Sequence, residues 1–361
     1  MIDDQALSLL RKWFASQMPD SRNLSIVGID QVAFGHSAET LLLTLVWDEG
    51  AAQRHQDVVV RVRPPAPGLL EPYNLERQFR ILRALEGTPV PSPRALWYEG
   101  SGEVLGREFY VMERLAGAVY EMDVPAELQE APERLAAMSR SLVDTLVAIH
   151  NVRPTTTDLS FLDSEDFLQR QLDHWHGQMA RYQRGALPAL ERLHSELIRQ
   201  RPAASPTVTL VHGDPKPGNF AYQDDLVSAV YDWELATLGD PLADVAWAEI
   251  NWTTPGFFTS LPGSLTVDQF IRRYQDLTGF EVRHREWYRA LQGFKVAVIM
   301  FVGAMLFDNA VSDDLRLADM GPAVHYYTVR ALAELGVEEG IDPGPVTAGK
   351  ERYRSVRDAK V

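Results

Sequence analysis

The stretch VTLVHGDPKPGN, residues 208–219, decides the fold of this 361-residue chain. Its apolar start predicts a short β-strand that ends in the tripeptide HGD, whose aspartate is Asp214, and Asn219 follows five positions later. A second apolar segment, residues 227–231, is followed directly by the tripeptide DWE, which begins at Asp232. A short turn between the two strands would bring Asn219 and Asp232 close together. The segment therefore predicts a strand–loop–strand unit that presents two carboxylates and one amide.

These residue types suit phosphoryl transfer. That reaction needs a group that orients the attacking hydroxyl, ligands for magnesium and a cradle for the triphosphate. A carboxylate at the end of a strand can accept or align the hydroxyl proton, and a nearby amide oxygen can bind a hard cation without adding charge. A second carboxylate must then reach the metal that bridges the phosphates. The segment supplies this set in order.

The segment resembles the catalytic loop of protein kinases, and it is more similar to the aminoglycoside phosphotransferase and choline kinase family, in which HGD and a downstream DWE are usual. The GDP tripeptide at 239–241 follows in the same order. The resemblance implies a protein-kinase-like fold, with ATP and Mg²⁺ as cofactors. It further implies that Asp214 is the catalytic base and that Asn219 and Asp232 bind magnesium. Lys216, two residues after the base, is implied to touch the transferred phosphate.

The rest of the chain divides into two parts, which predict an α+β, two-lobed protein-kinase-like fold. A small β-rich lobe with a helix at 74–85 comes first, and a larger, mainly helical lobe follows Gly117. We expect a nucleotide-binding lobe over 1–112, a hinge over 113–117 and a catalytic and substrate lobe over 118–361. The tail after Gly340 predicts a loosely held surface segment. The expected strands of the first lobe are 24–29, 40–47, 57–63, 95–98 and 108–113.

The first lobe offers candidate contacts for the phosphates. The loop AFGHSAET, residues 33–40, lies where backbone amides would cover them, and the resemblance implies that Gly35 and Ser37 act there. On the third strand, period-2 alternation puts Arg61 and Arg63 on the same face, so either could bind the α- and β-phosphates. The match to the family's strand favours Arg61.

Two further elements complete the nucleotide site. Glu76, on the helix that follows, is the predicted partner of Arg61, and a solvent-facing Glu76 is the alternative. The segment FYVMERLAG resembles the fifth strand and hinge of the family. The resemblance implies hydrogen bonds from adenine to the backbone of Glu113 and Leu115, with Met112 beside the base.

Composition limits the partners. The net charge is −15, from 35 basic and 50 acidic residues, and such a surface repels phosphate backbones, so nucleic acid is not expected. The chain has no cysteine, which suits a reducing, cytoplasmic setting. Its start is acidic where a signal peptide would be basic. The apolar run 296–307 is shorter than the roughly 20 residues of a membrane span, so it predicts a buried core helix.

The substrate class is narrowed but not fixed. The few residues between the DWE and GDP tripeptides leave no room for the long activation segment of a protein kinase, so a small molecule with a hydroxyl group is favoured. Aminoglycoside-like sugars, amino alcohols such as choline and hydroxyacyl thioesters remain open. The segments at 61–65 and 87–94 resemble a branch related to kinase domains of certain acyl-CoA dehydrogenases. The alternative is a catalytically idle nucleotide-binding module, a scaffold or sensor. The choice between ATP and GTP and the oligomeric state also stay open.

Overall fold

The computed structural model describes residues 4–32, 39–154, 157–203, 207–338, 340–342 and 350–359. In the first lobe, alternating apolar side chains build an antiparallel sheet whose strand order is β1-β2-β3-β5-β4. Leu41, Leu43 and Leu45 alternate along β2 and are buried against the apolar side of α1. The predicted β-rich lobe with five strands is confirmed. Its elements are α1 (Asp4–Gln17), β1 (Arg22–Val32), β2 (Glu39–Glu49), β3 (Ala52–Val62), α2 (Leu75–Leu85), β4 (Ala95–Glu99) and β5 (Phe109–Glu113).

The chain leaves β5 through a tight crossing at Gly117. The backbone there has φ +142°, and a Cβ atom would lie 2.4 Å from the Ser228 hydroxyl oxygen and 3.0 Å from the Ala221 Cβ atom. Only glycine fits such a close approach without a shift of its neighbours. The hydroxyl of Ser228 also donates to the carbonyl oxygen of Ala116 over 2.8 Å. The end of the hinge is therefore fixed against the second lobe.

The second lobe is mainly helical, as predicted, and two small sheets, one of two strands and one of three, position its loops. Its strands are β6 (Ala118–Val119), β7 (Thr209–Val211), β8 (Phe220–Gln223), β9 (Leu226–Val230) and β10 (Thr237–Gly239). Its helices are α3 (Ala126–Gln129), α4 (Pro132–His150), α5 (Phe167–Tyr182), α6 (Pro188–Arg199), α7 (Leu242–Thr253), α8 (Val267–Thr278), α9 (Arg285–Asp308), α10 (Leu315–Ala318), α11 (Gly321–Glu334) and α12 (Lys350–Ala359).

Helix α9 is the central element of this lobe. By length and composition it could cross a membrane, yet 83% of its most apolar 18-residue window is buried inside the protein. It packs against α5, α7 and α11, and its aromatic and aliphatic side chains form one continuous core with theirs. The predicted core helix over 296–307 is therefore confirmed as the second half of α9.

The prediction of a loosely held tail is wrong for residues 350–359. These residues form α12, and its Tyr353 and Val356 side chains pack against the core of the second lobe. Arg352 lies 4.4 Å from the centre of the Phe307 ring and donates to Asp313 over 2.6 Å. The charged composition of the tail hid this pairing, because a helix with one narrow apolar side needs few apolar residues to dock.

Candidate active site

Two pairs of strands shape residues 208–234, which we call the catalytic segment after their predicted role. β7 pairs antiparallel with β10, so the residues just after β7 lie beside the segment that leads into β10. β8 and β9 form a hairpin, and the backbone N–H of Tyr231 donates to the carbonyl oxygen of Asn219 over 2.9 Å. The predicted closeness of Asn219 and Asp232 is thereby confirmed, since Asp232 directly follows Tyr231.

His212 braces the loop from inside. Its ring is fully buried, and its Nδ1 accepts the backbone N–H of Asp214 over 3.2 Å. The other nitrogen, Nε2, therefore carries the proton and donates to the carbonyl oxygen of Tyr231 over 2.9 Å. One neutral imidazole thus ties the loop that bears Asp214 to the strand that bears Asp232.

Asp244 on α7 anchors the same loop, and the sequence analysis gave it no role. Its side chain is 1% exposed, and its two oxygens accept the backbone N–H groups of His212 and Gly213 over 2.7 and 2.9 Å. His150 at the end of α4 contributes its Nε2 at 3.2 Å. Burial alone would raise the pKa of Asp244, but the bonds from His150 and Gly213 outweigh it and hold the pKa below its usual value.

Asp214 itself accepts hydrogen bonds on both carboxylate oxygens. The Asn219 side-chain amide donates to its Oδ2 over 3.0 Å and to its carbonyl oxygen over 2.8 Å. The indole of Trp247 donates to its Oδ1 over 2.6 Å. Since the nitrogen of the Asn219 amide is turned toward Asp214, the amide oxygen is the atom that can face a cation. Trp247 was missed, although it lies three residues after Asp244 on the same face of α7.

Arg61 lies over this hairpin. Its guanidinium donates to the Asp232 carboxylate over 3.2 Å and to the Thr40 hydroxyl over 3.0 Å. Burial lowers the pKa of Arg61, but the nearby charge of Asp232 outweighs this and leaves the pKa raised. Arg63 instead pairs with Glu108 at 3.0 Å, just past the end of β3. The structure therefore brings Arg61, and not Arg63, to the predicted catalytic residues.

The predicted pair between Glu76 and Arg61 is wrong. Glu76 is exposed on the solvent side of α2, and across the described residues no ion pair joins it to Arg61. The residue after it, Arg77, reaches the catalytic segment instead and donates to the carbonyl oxygen of Glu234. The reason is helical phase: α2 buries Leu75 and Gln78 against the lobe, which turns position 76 outward.

The hinge over 113–117 is where adenine is predicted to bind the backbone of Glu113 and Leu115. Met112 is buried at the end of β5, and the N–H of Glu113 donates to the carbonyl oxygen of Arg94 over 2.9 Å. Among the described residues, no backbone hydrogen bond engages Leu115. Its N–H and carbonyl groups are therefore the ones here that a ligand could satisfy.

Lys216 and the phosphate loop complete the predicted set. The Lys216 ammonium donates to the Glu121 carboxylate over 2.5 Å. Burial lowers the pKa of Lys216, but the charges of Asp214 and Glu121 outweigh it and the pKa is raised, so this lysine stays cationic near the base. Gly35 and Ser37 lie outside the described residues.

Lys295 on α9 is a further residue near Asp214, after Asp244 and Trp247, whose place was not predicted from the sequence. Its side chain is 4% exposed, its ammonium donates to the carbonyl oxygen of Gly213, and it lies 4.9 Å from the centre of the Trp247 ring. Burial lowers its pKa, and the charges of Asp214 and Asp244 oppose that shift. A lone lysine at the edge of the apolar run of α9 was the available signal, because buried lysines almost always have a partner.

Replacing Gly213 by alanine should lower the free energy of unfolding by at least about 2 kcal/mol. Gly213 has φ +85°, and a Cβ atom there would lie 2.5 Å from the carbonyl oxygen of Leu235. Urea denaturation followed by circular dichroism measures the change. Gly185→Ala is the matched control, because a Cβ at Gly185 meets nothing within 4 Å. Equal stability of the two variants would contradict this account of the loop.

Comparison with known proteins identifies the family. The model of a family described as the phosphotransferase enzyme family matches residues 33–291, well over half of the chain. The chain belongs to this family. The predicted resemblance is thus confirmed, and the match extends over both lobes and over the residues of the site described above except Lys295.

Two relatives match this chain over part of their own length. Acyl-CoA dehydrogenase family member 10 of Mus musculus is 33% identical over 259 residues, which are 68% of this chain and 24% of that protein. Family member 11 of Rattus norvegicus is 27% identical over 336 residues, 88% of this chain and 41% of that protein. This chain thus spans about a quarter to two fifths of the length of these relatives.

Two structures carry the comparison of folds. A Ralstonia eutropha protein assigned to the aminoglycoside phosphotransferases superposes with a TM-score of 0.74 at 23% identity, over 91% of this chain and 98% of that one. Aminoglycoside phosphotransferase APH(4)-Ia, solved in a ternary complex with ADP and hygromycin B, gives 0.58 at 17% identity, over 92% and 99%. The predicted two-lobed, kinase-like α+β fold is confirmed.

Proposed function

We propose that this protein is an ATP- and Mg²⁺-dependent phosphotransferase that phosphorylates a hydroxyl group of a small molecule. One observation carries the proposal: Asp214 and Asn219 from one loop, Asp232 from the next strand end and Arg61 from the first lobe converge through direct contacts. Membership of the phosphotransferase family supports the same reaction class. The fold likeness to an enzyme solved with ADP supports a nucleotide as the phosphate donor.

The donor atoms at the hairpin fit magnesium. Asn219 offers an amide oxygen and Asp232 a carboxylate, and oxygen ligands of this kind are those Mg²⁺ prefers. Among the described residues no group of three or more histidine, aspartate or glutamate side chains forms a metal cage. Mg²⁺ held mainly by phosphates and water needs only one or two protein carboxylates, so the set is sufficient. When bound, the ion neutralises charge on the β- and γ-phosphates.

The side chains of this chain supply the remaining steps. Asp214, held by Trp247 and Asn219, aligns the acceptor hydroxyl and takes its proton. The hydroxyl oxygen forms a bond to the γ-phosphorus, and the bond from that phosphorus to the oxygen shared with the β-phosphate breaks, which releases ADP. Arg61 and Lys216 stay cationic and stabilise the charge that spreads over the phosphate oxygens.

The names of the matched relatives suggest which class of acceptor to propose. The matched relatives are named acyl-CoA dehydrogenase family members, which supports hydroxyacyl thioesters as the first acceptors to test. Amino sugars and amino alcohols come next. We also propose a cytoplasmic location, where ATP and Mg²⁺ are supplied. The idle nucleotide-binding module is the second candidate, but such a module has no use for a carboxylate aligned as Asp214 is.

Release of ADP from ATP tests the proposal. We expect hydroxyl compounds of the right class to accelerate ADP release in the presence of Mg²⁺, and chelation by EDTA to abolish that release, because the β- and γ-phosphate charges are then uncompensated. A coupled ADP assay across thioesters, amino sugars and amino alcohols measures it, with calorimetric titration of a non-hydrolysable ATP analogue as the binding control. Tight Mg²⁺–nucleotide binding with no acceptor-stimulated ADP release would favour the idle module.

A further inference from the structure

A cavity of about 210 Å³ lies behind the catalytic loop, between α5, α7 and α9. Its wall includes Gly213, so it adjoins the loop that carries Asp214. A second cavity of about 180 Å³ shares part of this wall and extends under the loop before α2. We call the first space the cationic cavity, after four residues that line it: Arg77, Arg170, His174 and Lys295.

The residues that line the cationic cavity include more cationic side chains than carboxylates. Asp244 is its acidic lining residue, and the oxygens of that carboxylate are already engaged by His150 and two backbone N–H groups. Arg170 donates its N–H groups to the carbonyl oxygens of Glu165, Asp163 and Leu238, and its guanidinium lies 3.6 Å from the Asp163 carboxylate. Arg77 and Lys295 are then the lining cations left for a ligand, and the other carboxylates that act on them are Glu234 and Asp214 respectively.

Several polar groups of the wall retain unused hydrogen-bonding capacity. Lys295 gives one N–H to Gly213 and faces the Trp247 ring, which leaves a further donor of the three that an ammonium has. The Nε of Arg77 is buried and has no partner among the described residues. Gln292 lies one turn before Lys295 and is 5% exposed. Its side-chain oxygen is also buried and has no hydrogen-bond partner among the described residues. A rotated amide would place a donor at that position.

The electrostatic environment points the same way. Burial lowers the pKa of His174, and the charges of Arg77 and Lys295 lower it further. Burial also lowers the pKa of Arg77 and of Lys295. The charge of Glu234 opposes the shift of the Arg77 pKa, and the charges of Asp214 and Asp244 oppose that of the Lys295 pKa, but both pKa values stay lowered. A bound anion would relieve the cost of a positive charge on all three groups at once.

We propose that the cationic cavity binds an anionic group of the phosphate acceptor, a carboxylate or a phosphate, through Lys295, Arg77 and His174. This inference rests on the proposed function and specifies its substrate class. The ammonium of Lys295 lies against Gly213, so an anion docked on it holds the rest of the acceptor beside Asp214. Polycationic amino sugars and choline-like alcohols are the wrong charge for this wall, and a hydroxylated anion is the right one.

The test compares acceptors that differ only in charge. Straight-chain hydroxy acids are assayed for ADP release beside hydroxy amides and amino alcohols of the same length, and beside the coenzyme A thioesters of the acids. We expect the anionic acceptors to exceed the neutral and cationic ones by at least about tenfold in kcat/KM, since hydrogen bonds to charged groups stabilise a complex by about 1.5–3 kcal/mol. If the variants described below lose kcat/KM only with the free acids, the anionic group bound in the cavity is a carboxylate. If they lose kcat/KM only with the thioesters, that group is a phosphate.

Lys295→Met and Arg77→Gln keep much of each side chain's bulk and remove its charge. We expect each to raise the KM of anionic acceptors about 10- to 100-fold more than the KM of the neutral amides, while kcat with the amides reports any loss of loop positioning. Arg181→Gln, on the exposed side of α5, is the matched control. An equal fall in kcat with acids and amides would assign Lys295 to loop positioning alone and overturn the proposal.

A binding measurement separates this proposal from the proposed function. Hexanoate and phenyl phosphate, which have no hydroxyl to phosphorylate, are titrated calorimetrically into the full chain. We expect at least one of the two to bind to the wild type, and the binding to be lost in Lys295→Met and Arg77→Gln but kept in Arg181→Gln. No binding of either anion, or equal binding in all variants, would overturn the cavity assignment. ADP release to neutral hydroxyl compounds would in that case still support the phosphotransferase.

Discussion

Replacing Asp214 by asparagine should lower the rate of acceptor-dependent ADP release by about 10²- to 10⁴-fold, the range for loss of a general base. An amide has nearly the same shape as the carboxylate but cannot take the hydroxyl proton. It can still accept the indole N–H of Trp247, and Asn219 keeps its bond to the backbone carbonyl oxygen of residue 214, so the loop should keep its conformation. The coupled ADP assay measures kcat, and calorimetric titration of the ATP analogue should give the same affinity as the wild type.

The control for this variant is Asp276→Asn, which removes an exposed carboxylate from α8. It should leave both ADP release and nucleotide binding unchanged, because surface substitutions of this kind have small effects. Equal turnover by Asp214→Asn and wild type would contradict the assigned base. A parallel loss of nucleotide affinity in Asp214→Asn would instead point to a damaged site.

Replacing Asp244 by asparagine should lower the free energy of unfolding by about 3–5 kcal/mol, because each hydrogen bond to a charged group contributes about 1.5–3 kcal/mol and two backbone bonds to this carboxylate are weakened. The two carboxylate oxygens accept the N–H groups of His212 and Gly213. In asparagine one of those oxygens becomes an NH₂ group that faces another donor, so at least one buried N–H loses its acceptor. Urea denaturation followed by circular dichroism measures the change. A variant as stable as wild type would contradict the anchoring role.

The pH dependence gives a second check on Asp244. Its folded pKa is lowered, so its stabilising contribution is fully present above the unfolded value of about 3.9 and disappears as the pH falls through the folded value. The difference between wild type and Asp244→Asn should therefore stay constant near neutral pH and shrink only in acid below that unfolded value. His150→Gln, which removes one donor to Asp244, should lose less stability and is available if Asp244→Asn does not fold.

Local sequence carried much of this site. The order of Asp214, Asn219 and Asp232, with a strand before each end, was enough to predict that they meet, because a hairpin turns within a few residues and leaves little freedom. The strand that ends at Met112 and its glycine-terminated hinge were predictable for the same reason.

Sequence reasoning failed where a residue acts across a large separation in the chain. Glu76 and Arg77 are neighbours, and only the packing of α2 on the lobe decides which of them turns toward the catalytic segment. Trp247 and Lys295 contact the catalytic loop from helices 33 and 82 residues away in the chain. Their types gave weak signals, because tryptophan and a single lysine fit many buried sites equally well.

The sequence by itself determined the catalytic hairpin, the two-lobed fold and the family, because these depend on short-range order along the chain. Only the tertiary structure decided which arginine meets Asp232, which carboxylate anchors the loop and what charge lines the space behind Gly213. Those features arise where α2, α5, α7 and α9 converge. The position of each side chain there depends on how whole helices pack, which local periodicity does not encode.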